Sequence, residues 1–231
     1  MAQKKVNAVI HSQEKLAEGI YSMWLDAPEM AAAAVPGQFI AVYTNDQSKL
    51  LPRPISICEA DKENGRLRIV YRIAGAGTKE FSAYKEGDTL DIMGPLGNGF
   101  PLKKKKAFLI GGGIGIPPML ELAKNLDCEK TAVIGYRDKE TFLADELRKY
   151  ADVVIATEDG SVGTKGNVID AIRAEKLTAD IIYACGPTPM LKALKAYAME
   201  NGIECYISLE EKMACGIGAC LGCVCHSKDI D

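Results

Sequence analysis

Four of the eight cysteines, Cys215, Cys220, Cys223 and Cys225, crowd into eleven residues near the end of the chain. Four residues separate Cys215 from Cys220 and two separate Cys220 from Cys223, which is the spacing of a plant-type [2Fe–2S] site. Three thiolates converging on two irons force the backbone to wrap tightly. Gly216, Gly218 and Gly222 relax the steric limits on that wrapping and let N–H groups point at the sulfurs. A zinc loop would pair its two-residue cysteine spacing with a second such pair, and the sequence has none. A set of buried free cysteines is the other reading. Cys58, Cys128, Cys185 and Cys205 are scattered. In a reducing compartment the cluster points to metal or redox chemistry rather than to disulfides.

A second kind of chemistry is written in glycine. Gly111-Gly112-Gly113-Ile114-Gly115-Ile116-Pro117-Pro118 follows an apolar run and opens a helical pattern, as a dinucleotide-binding loop does. The glycines let backbone approach a pyrophosphate, and the helix N-terminus offers it free N–H groups. Proline is tolerated in a first helical turn, though Pro118 stands where the full G-x-G-x-x-G pattern has its last glycine. A plain strand-to-helix turn is the alternative. Cys185-Gly186-Pro187 falls at the C-terminal end of another apolar run, where doubly wound sheets bind ligands; a buried structural cysteine is the alternative. Earlier in the chain, Arg53-Pro54-Ile55-Ser56 brings a guanidinium near a strand-borne hydroxyl. Gly75-Ala76-Gly77-Thr78 makes a glycine turn into a helix. Two phosphate-binding devices in two halves of the chain suggest two nucleotides.

The elements that must position these residues change character near residues 101–106. Before that point, Phe39–Tyr43, Arg66–Tyr71 and Thr89–Met93 read as short strands separated by Gly and Pro, which suggests a small antiparallel barrel. One helix is expected from an N-cap at Thr78 to about Tyr84. After it, apolar strands at Ala107–Ile110, Thr131–Tyr136, Val153–Thr157, Ile181–Cys185 and Cys205–Leu209 alternate with helical patterns. The helices are placed at Pro117–Asn125, Glu140–Tyr150, Val168–Glu175 and Met190–Glu200, and the alternation means a doubly wound parallel sheet. The expected division is residues 1–102, 103–209 and 210–231. There is no internal repeat.

The 231 residues carry a net charge of −3, with 48% hydrophobic and 26% charged residues. That balance gives no electrostatic footprint for nucleic acid, and the basic run Lys103–Lys106 reads as a solvated loop. No apolar stretch reaches the roughly 20 residues needed to span a bilayer, and the first residues lack the apolar core of a signal peptide. A cytoplasmic protein is expected.

These pieces in this order resemble the ferredoxin-reductase-type flavoproteins, and most specifically the electron-transfer subunits of class B, NAD-linked dihydroorotate dehydrogenases. The tail from Glu210 to Cys220 carries the most specific part of the likeness. The resemblance implies FAD in the barrel, NAD on the sheet and a [2Fe–2S] cluster in residues 210–231. It places Arg53 on the FAD phosphates and Pro54, Ile55 and Ser56 in the flavin motif. Val70, Tyr71 and Arg72 correspond to a second flavin strand, and Gly75, Gly77 and Thr78 to the pyrophosphate turn. Gly111, Gly112, Gly113, Gly115, Cys185, Gly186 and Pro187 correspond to the NAD side, and Cys215, Cys220 and Cys223 to cluster ligands. Many relatives have tyrosine where Ile55 stands, so aromatic stacking there is lost. The family's fourth cluster cysteine lies in a later segment, so residues 210–231 are expected to be truncated or Cys225 to substitute.

The implied function is an electron relay in pyrimidine biosynthesis. An FMN-containing dihydroorotate-oxidising partner, in a heterotetramer of two of each subunit, would pass electrons through the cluster and FAD to NAD. No acid–base residue is needed, so no catalytic side chain is expected. The resemblance implies NAD rather than NADP; Arg137 and Lys139 would suit a 2′-phosphate, and Asp138 between them would oppose it. The rival readings are the matching subunit of an NAD(P)H:ferredoxin transhydrogenase or sulfhydrogenase, and a redox-sensing metal-binding module.

Overall fold

The computed structural model describes residues 4–46, 48–211 and 213–225. The signal-peptide reading at residues 1–3 and the parts of the tail at 212 and 226–231 lie outside the described residues. Six strands come first: β1 (Lys4–Ala17), β2 (Ile20–Asp26), β3 (Phe39–Val42), β4 (Arg53–Asp61), β5 (Arg66–Arg72) and β6 (Thr89–Leu96). They close into an antiparallel barrel in the order β1-β2-β5-β4-β3-β6. Alternate side chains of each strand point inward, and Ile10, Met23, Leu25, Ile57, Ile69 and Ile92 fill the interior. Two short helices, α1 (Pro28–Ala33) and α2 (Ala76–Phe81), cover its ends.

The second half runs β7 (Ala107–Gly112), α3 (Pro117–Asn125), β8 (Lys130–Tyr136), α4 (Ala144–Leu147), β9 (Asp152–Thr157), β10 (Thr164–Lys165), α5 (Val168–Ala174), β11 (Ile181–Cys185), α6 (Thr188–Asn201) and β12 (Glu204–Ser208). All its strands are parallel, in the order β10-β9-β8-β7-β11-β12. The side chains of β7 show why both faces are covered. Ala107 and Leu109 pack with α3 on one side, whereas Phe108 and Ile110 pack with α5 and α6 on the other. The strand order reverses between β7 and β11, which is therefore the topological switch point.

Residues 97–106 join the halves and are clamped to the sheet. The Tyr183 hydroxyl donates to the Pro101 carbonyl (2.7 Å) and accepts from the Lys103 N–H (3.2 Å). The four lysines are exposed or half-buried and each is ion-paired: Lys103 and Lys105 with Glu204, Lys104 with Asp127 and Lys106 with Glu129.

Two expected helices differ. Gly75, not Thr78, is the N-cap of α2; Thr78 sits one turn inside, and its Oγ1 accepts from the N–H groups of Ala74 (2.8 Å) and Gly75 (3.2 Å). The pattern at Glu140–Tyr150 yields only the single turn α4, because Leu143 takes a left-handed φ of 64° to bury its side chain and so breaks the helix. No helix among the described residues is long and apolar enough to cross a membrane.

Candidate cofactor site

A cavity of about 550 Å³ lies between the barrel and the carboxyl edge of the sheet. That volume is in the range of cofactor pockets. Its barrel wall is Arg53, Pro54, Ile55 and Ser56 from β4, Val70, Tyr71 and Arg72 from β5, and Thr78 from α2. The stretch Tyr206–Glu211 with Met213 closes it from the sheet side, and Gly97–Pro101 forms its floor. Tyr71 offers the cavity main chain rather than its ring. The ring is buried in the barrel core, stacked on Tyr21, and its hydroxyl donates to Gln13 Oε1 at 2.8 Å. Burial pushes that phenol up from its ordinary value.

Gly75 and Gly77 do not line the cavity, yet Gly77 has a clear task. A Cβ on Gly77 would lie 2.0 Å from Arg53 Nε, so the guanidinium lies flat across the start of α2. Arg53 Nη1 is steadied by donating to the Leu51 carbonyl. A permanent positive charge laid over Gly77 beside the cavity fits the phosphates of a dinucleotide such as FAD.

The dinucleotide loop and the Cys185 turn meet each other outside the cavity. Gly111 sits opposite Cys185 in the β7–β11 ladder. A Cβ on Gly115 would fall 2.2 Å from the Cys185 carbonyl oxygen, and one on Gly112 would fall 3.1 Å from Pro187 Cδ. Gly113 (φ 53°) and Gly186 (φ 156°) take backbone conformations that favour glycine. Gly111, Gly112, Gly113, Gly115, Cys185, Gly186 and Pro187 thus form one backbone-lined crevice at the switch point. Ile114 is the residue of this loop that reaches the cavity wall. Burial pushes the Cys185 thiol up to about 12, so it is neutral at physiological pH.

The cysteine segment rests on the barrel next to the cavity. A Cβ on Gly216 would approach Leu96 Cδ1 of β6 to 3.3 Å. Gly216 (φ 70°) and Gly218 (φ 78°) are left-handed, as the wrapping around a cluster requires. The Cys220 N–H donates to Cys215 Sγ at 3.4 Å. That bond, aided by the Ile217 N–H and the Cys220 side chain, pulls the Cys215 thiol down to about 6. Thiolate-stabilising N–H groups and small residues suit an iron–sulfur donor set. The Cys225 thiol donates to Glu211 Oε1 at 3.9 Å and to the Cys223 carbonyl at 4.0 Å. Among the described residues, no three His, Cys, Asp or Glu side chains gather at metal-binding range.

Of the cavity's remaining walls, Tyr206–Leu209 and Gly97–Pro101 carry no motif, whereas Glu210 and Glu211 open the tail that the sequence marks out.

A closed flavin-type barrel joined to a doubly wound sheet, with a cavity at their seam, defines a ferredoxin-reductase-type flavoprotein. Residues 8–100 match the oxidoreductase FAD-binding domain, and residues 210–231 match the iron–sulfur cluster binding domain of dihydroorotate dehydrogenase B. The chain belongs to the family of dihydroorotate dehydrogenase B (NAD(+)) electron transfer subunits. It is 46% identical to the subunit of that name from Streptococcus mutans, over 97% of this chain and 89% of that one. With the Bacillus velezensis subunit the identity is 41%, over 99% and 92%. Among solved structures it superposes on one described as an NADH-dependent reduced ferredoxin-NADP oxidoreductase, studied for flavin-based electron bifurcation. The TM-score is 0.86 and the identity 31%, over 96% of this chain and 83% of that one.

Proposed function

We propose that this chain relays electrons from a dihydroorotate-oxidising partner through a [2Fe–2S] cluster and FAD to NAD, in pyrimidine biosynthesis. The observation that carries the reading is contiguity. The cysteine segment, the cavity and the dinucleotide crevice share walls, since Met213 and Ile114 both line the cavity. FAD, when bound, supplies the chemistry that links one-electron exchange with a cluster to two-electron hydride exchange with NAD.

The chain's own residues bind and align. Arg53 holds phosphate charge over Gly77; Ser56 and the main chain of Val70–Arg72 present polar groups to the ring system. Gly111–Gly115 and the Cys185–Pro187 turn hold the nicotinamide dinucleotide, with the neutral Cys185 thiol at the crevice. Cys215, Cys220 and Cys223 would hold the cluster and supply its thiolate ligands. We place the functional boundaries at 102/103 and 209/210, the partner's flavin as FMN, and the assembly as two of each subunit. The clustered cysteines support a cytoplasmic setting.

The test is co-purification with the FMN-bearing subunit and an assay of dihydroorotate-dependent NADH formation. Absence of a complex, or of activity in the complex, refutes it. A second reading rests on the 31% likeness to the ferredoxin-NADP oxidoreductase, which predicts ferredoxin-dependent reduction of NAD(P) instead.

A further inference from the structure

The barrel and the sheet half meet where α3 packs on β4 and, beside it, along the outward face of β5. Arg68, Val70 and Arg72 alternate along that strand and so project to the same side. Val70 packs in the same core as Leu109 and Met119 of the sheet half, and Arg72 lines the cavity. Arg68, the third member, is 4% exposed although it carries a permanent charge. Its Nε donates to Ser22 Oγ at 2.9 Å. Its two terminal nitrogens fork onto Glu146 of α4, the Nη2 bond being 3.1 Å. Glu59 and Glu14 reach the same guanidinium at 3.5 and 3.7 Å.

The network continues onto α3. Glu59 also pairs with Lys124 at 2.6 Å. Glu121, 2% exposed, accepts from the Ala60 N–H of β4 at 3.0 Å. Thus α3 and α4 of the sheet half are each bolted to the barrel by charged groups. Among the described residues no buried side-chain polar atom lacks a partner.

An ion pair built on a buried charge is an inefficient way to add stability, because desolvating Arg68 offsets much of its attraction to the half-buried Glu146. What a planar guanidinium–carboxylate fork does add is a single allowed geometry, which an apolar seam lacks. The strand it holds is the one that ends at the cavity wall. We propose that Arg68 and Glu146 are positioning residues for hydride exchange, fixing β5 against α4 and so setting the gap between flavin and nicotinamide. The proposal rests on the FAD and NAD reading above. The exchange it governs is NADH + H⁺ + FAD → NAD⁺ + FADH₂ and its reverse, with the hydride carrying both electrons and the second proton coming from solvent.

The test uses the full chain loaded with FAD and two variants. Glu146→Gln keeps the shape but not the charge. Arg68→Met with Glu146→Leu removes both charges together, so that neither is left buried alone. Anaerobic rapid mixing at saturating NADH should show the limiting rate of flavin reduction falling by about tenfold, with FAD and NADH affinities held within about twofold. The long-wavelength absorption of the flavin–nicotinamide complex should weaken. Residual dipolar couplings of the FAD-free chain should show a changed angle between barrel and sheet in the double variant. Variants that reduce their flavin at the wild-type rate overturn the proposal, as does a double variant with an unchanged angle or one whose loss lies wholly in FAD affinity. A wild-type protein that NADH fails to reduce overturns the proposed function instead.

Discussion

Replacing Gly77 with alanine should separate flavin affinity from stability. The added Cβ would stand 2.0 Å from Arg53 Nε, 2.4 Å from Cζ and 2.7 Å from Nη2. Ordinary contact begins near about 3.5 Å, so the guanidinium must retreat by about 1–1.5 Å. A charge-assisted hydrogen bond to phosphate, about 2.8 Å long, does not survive that stretch. Its loss is worth roughly 1.5–3 kcal/mol, or about 10- to 150-fold in affinity for FAD. Stability should move the other way. The group that must yield is the far end of a flexible side chain rather than backbone, and alanine favours helix over glycine by up to about 1 kcal/mol. Titration of the FAD-free protein, followed by flavin fluorescence, reads the first effect; thermal unfolding of the same protein reads the second. Adding Gly77→Ala to Arg53→Ala should cost nothing further, since both act through one guanidinium. Wild-type affinity in Gly77→Ala, or a melting temperature that falls in step with affinity, would refute the reasoning.

Cys220→Ser should abolish the visible and paramagnetic spectra of the cluster-loaded protein, whereas Cys225→Ser should leave them unchanged; loss of signal in the latter makes Cys225 a ligand. Leu221, 68% exposed beside the cysteines, should lie in the partner interface, so Leu221→Glu should weaken complex formation in a pull-down without changing FAD content. Desolvation pushes the Glu80 carboxyl up, but hydrogen bonds from Lys49, Tyr84 and the N–H groups of Asn45 and Asp46 outweigh it and hold it at about 2. A lowered carboxyl stabilises fully above its ordinary value of 4.5, and that contribution is lost as pH falls toward about 2. Glu80→Gln should therefore be less stable than wild type at pH 7, by on the order of 2 kcal/mol, with the gap closing in acid. Diaphorase activity should favour NADH over NADPH, and equal efficiency with the two would count against Asp138 as the deciding charge.

The candidate site is written in the sequence because the proposed chemistry demands glycine and cysteine at fixed spacings. Gly77, Gly115 and Gly216 each sit where a Cβ would press on a neighbour, and each belongs to a motif visible in the chain. The helix at Pro117–Asn125 falls as its pattern indicates, because apolar period and proline start agree. The helix at Glu140–Tyr150 does not, because burial of Leu143 overrode local periodicity. Arg68 passed unnoticed among the alternating residues of β5. Its partners Ser22 and Glu146 lie 46 and 78 residues away, and no local pattern announces such a pairing. The same holds for Tyr206–Leu209, which becomes a cavity wall only when β12 docks beside β11.

The contact between Gly115 and the Cys185 carbonyl bears on any attempt to re-engineer coenzyme choice. At its root the crevice is main chain against main chain, with Gly115 and Gly186 touching across it, so a larger residue there would pry the two loops apart rather than reshape the pocket. On the proposed assignment, variation would come from the outer rim, at Arg137–Lys139 after β8. On that assignment the fold would divide the work: a backbone contact too tight for any side chain would grip what all nicotinamide dinucleotides share, and a variable rim would read the end by which they differ.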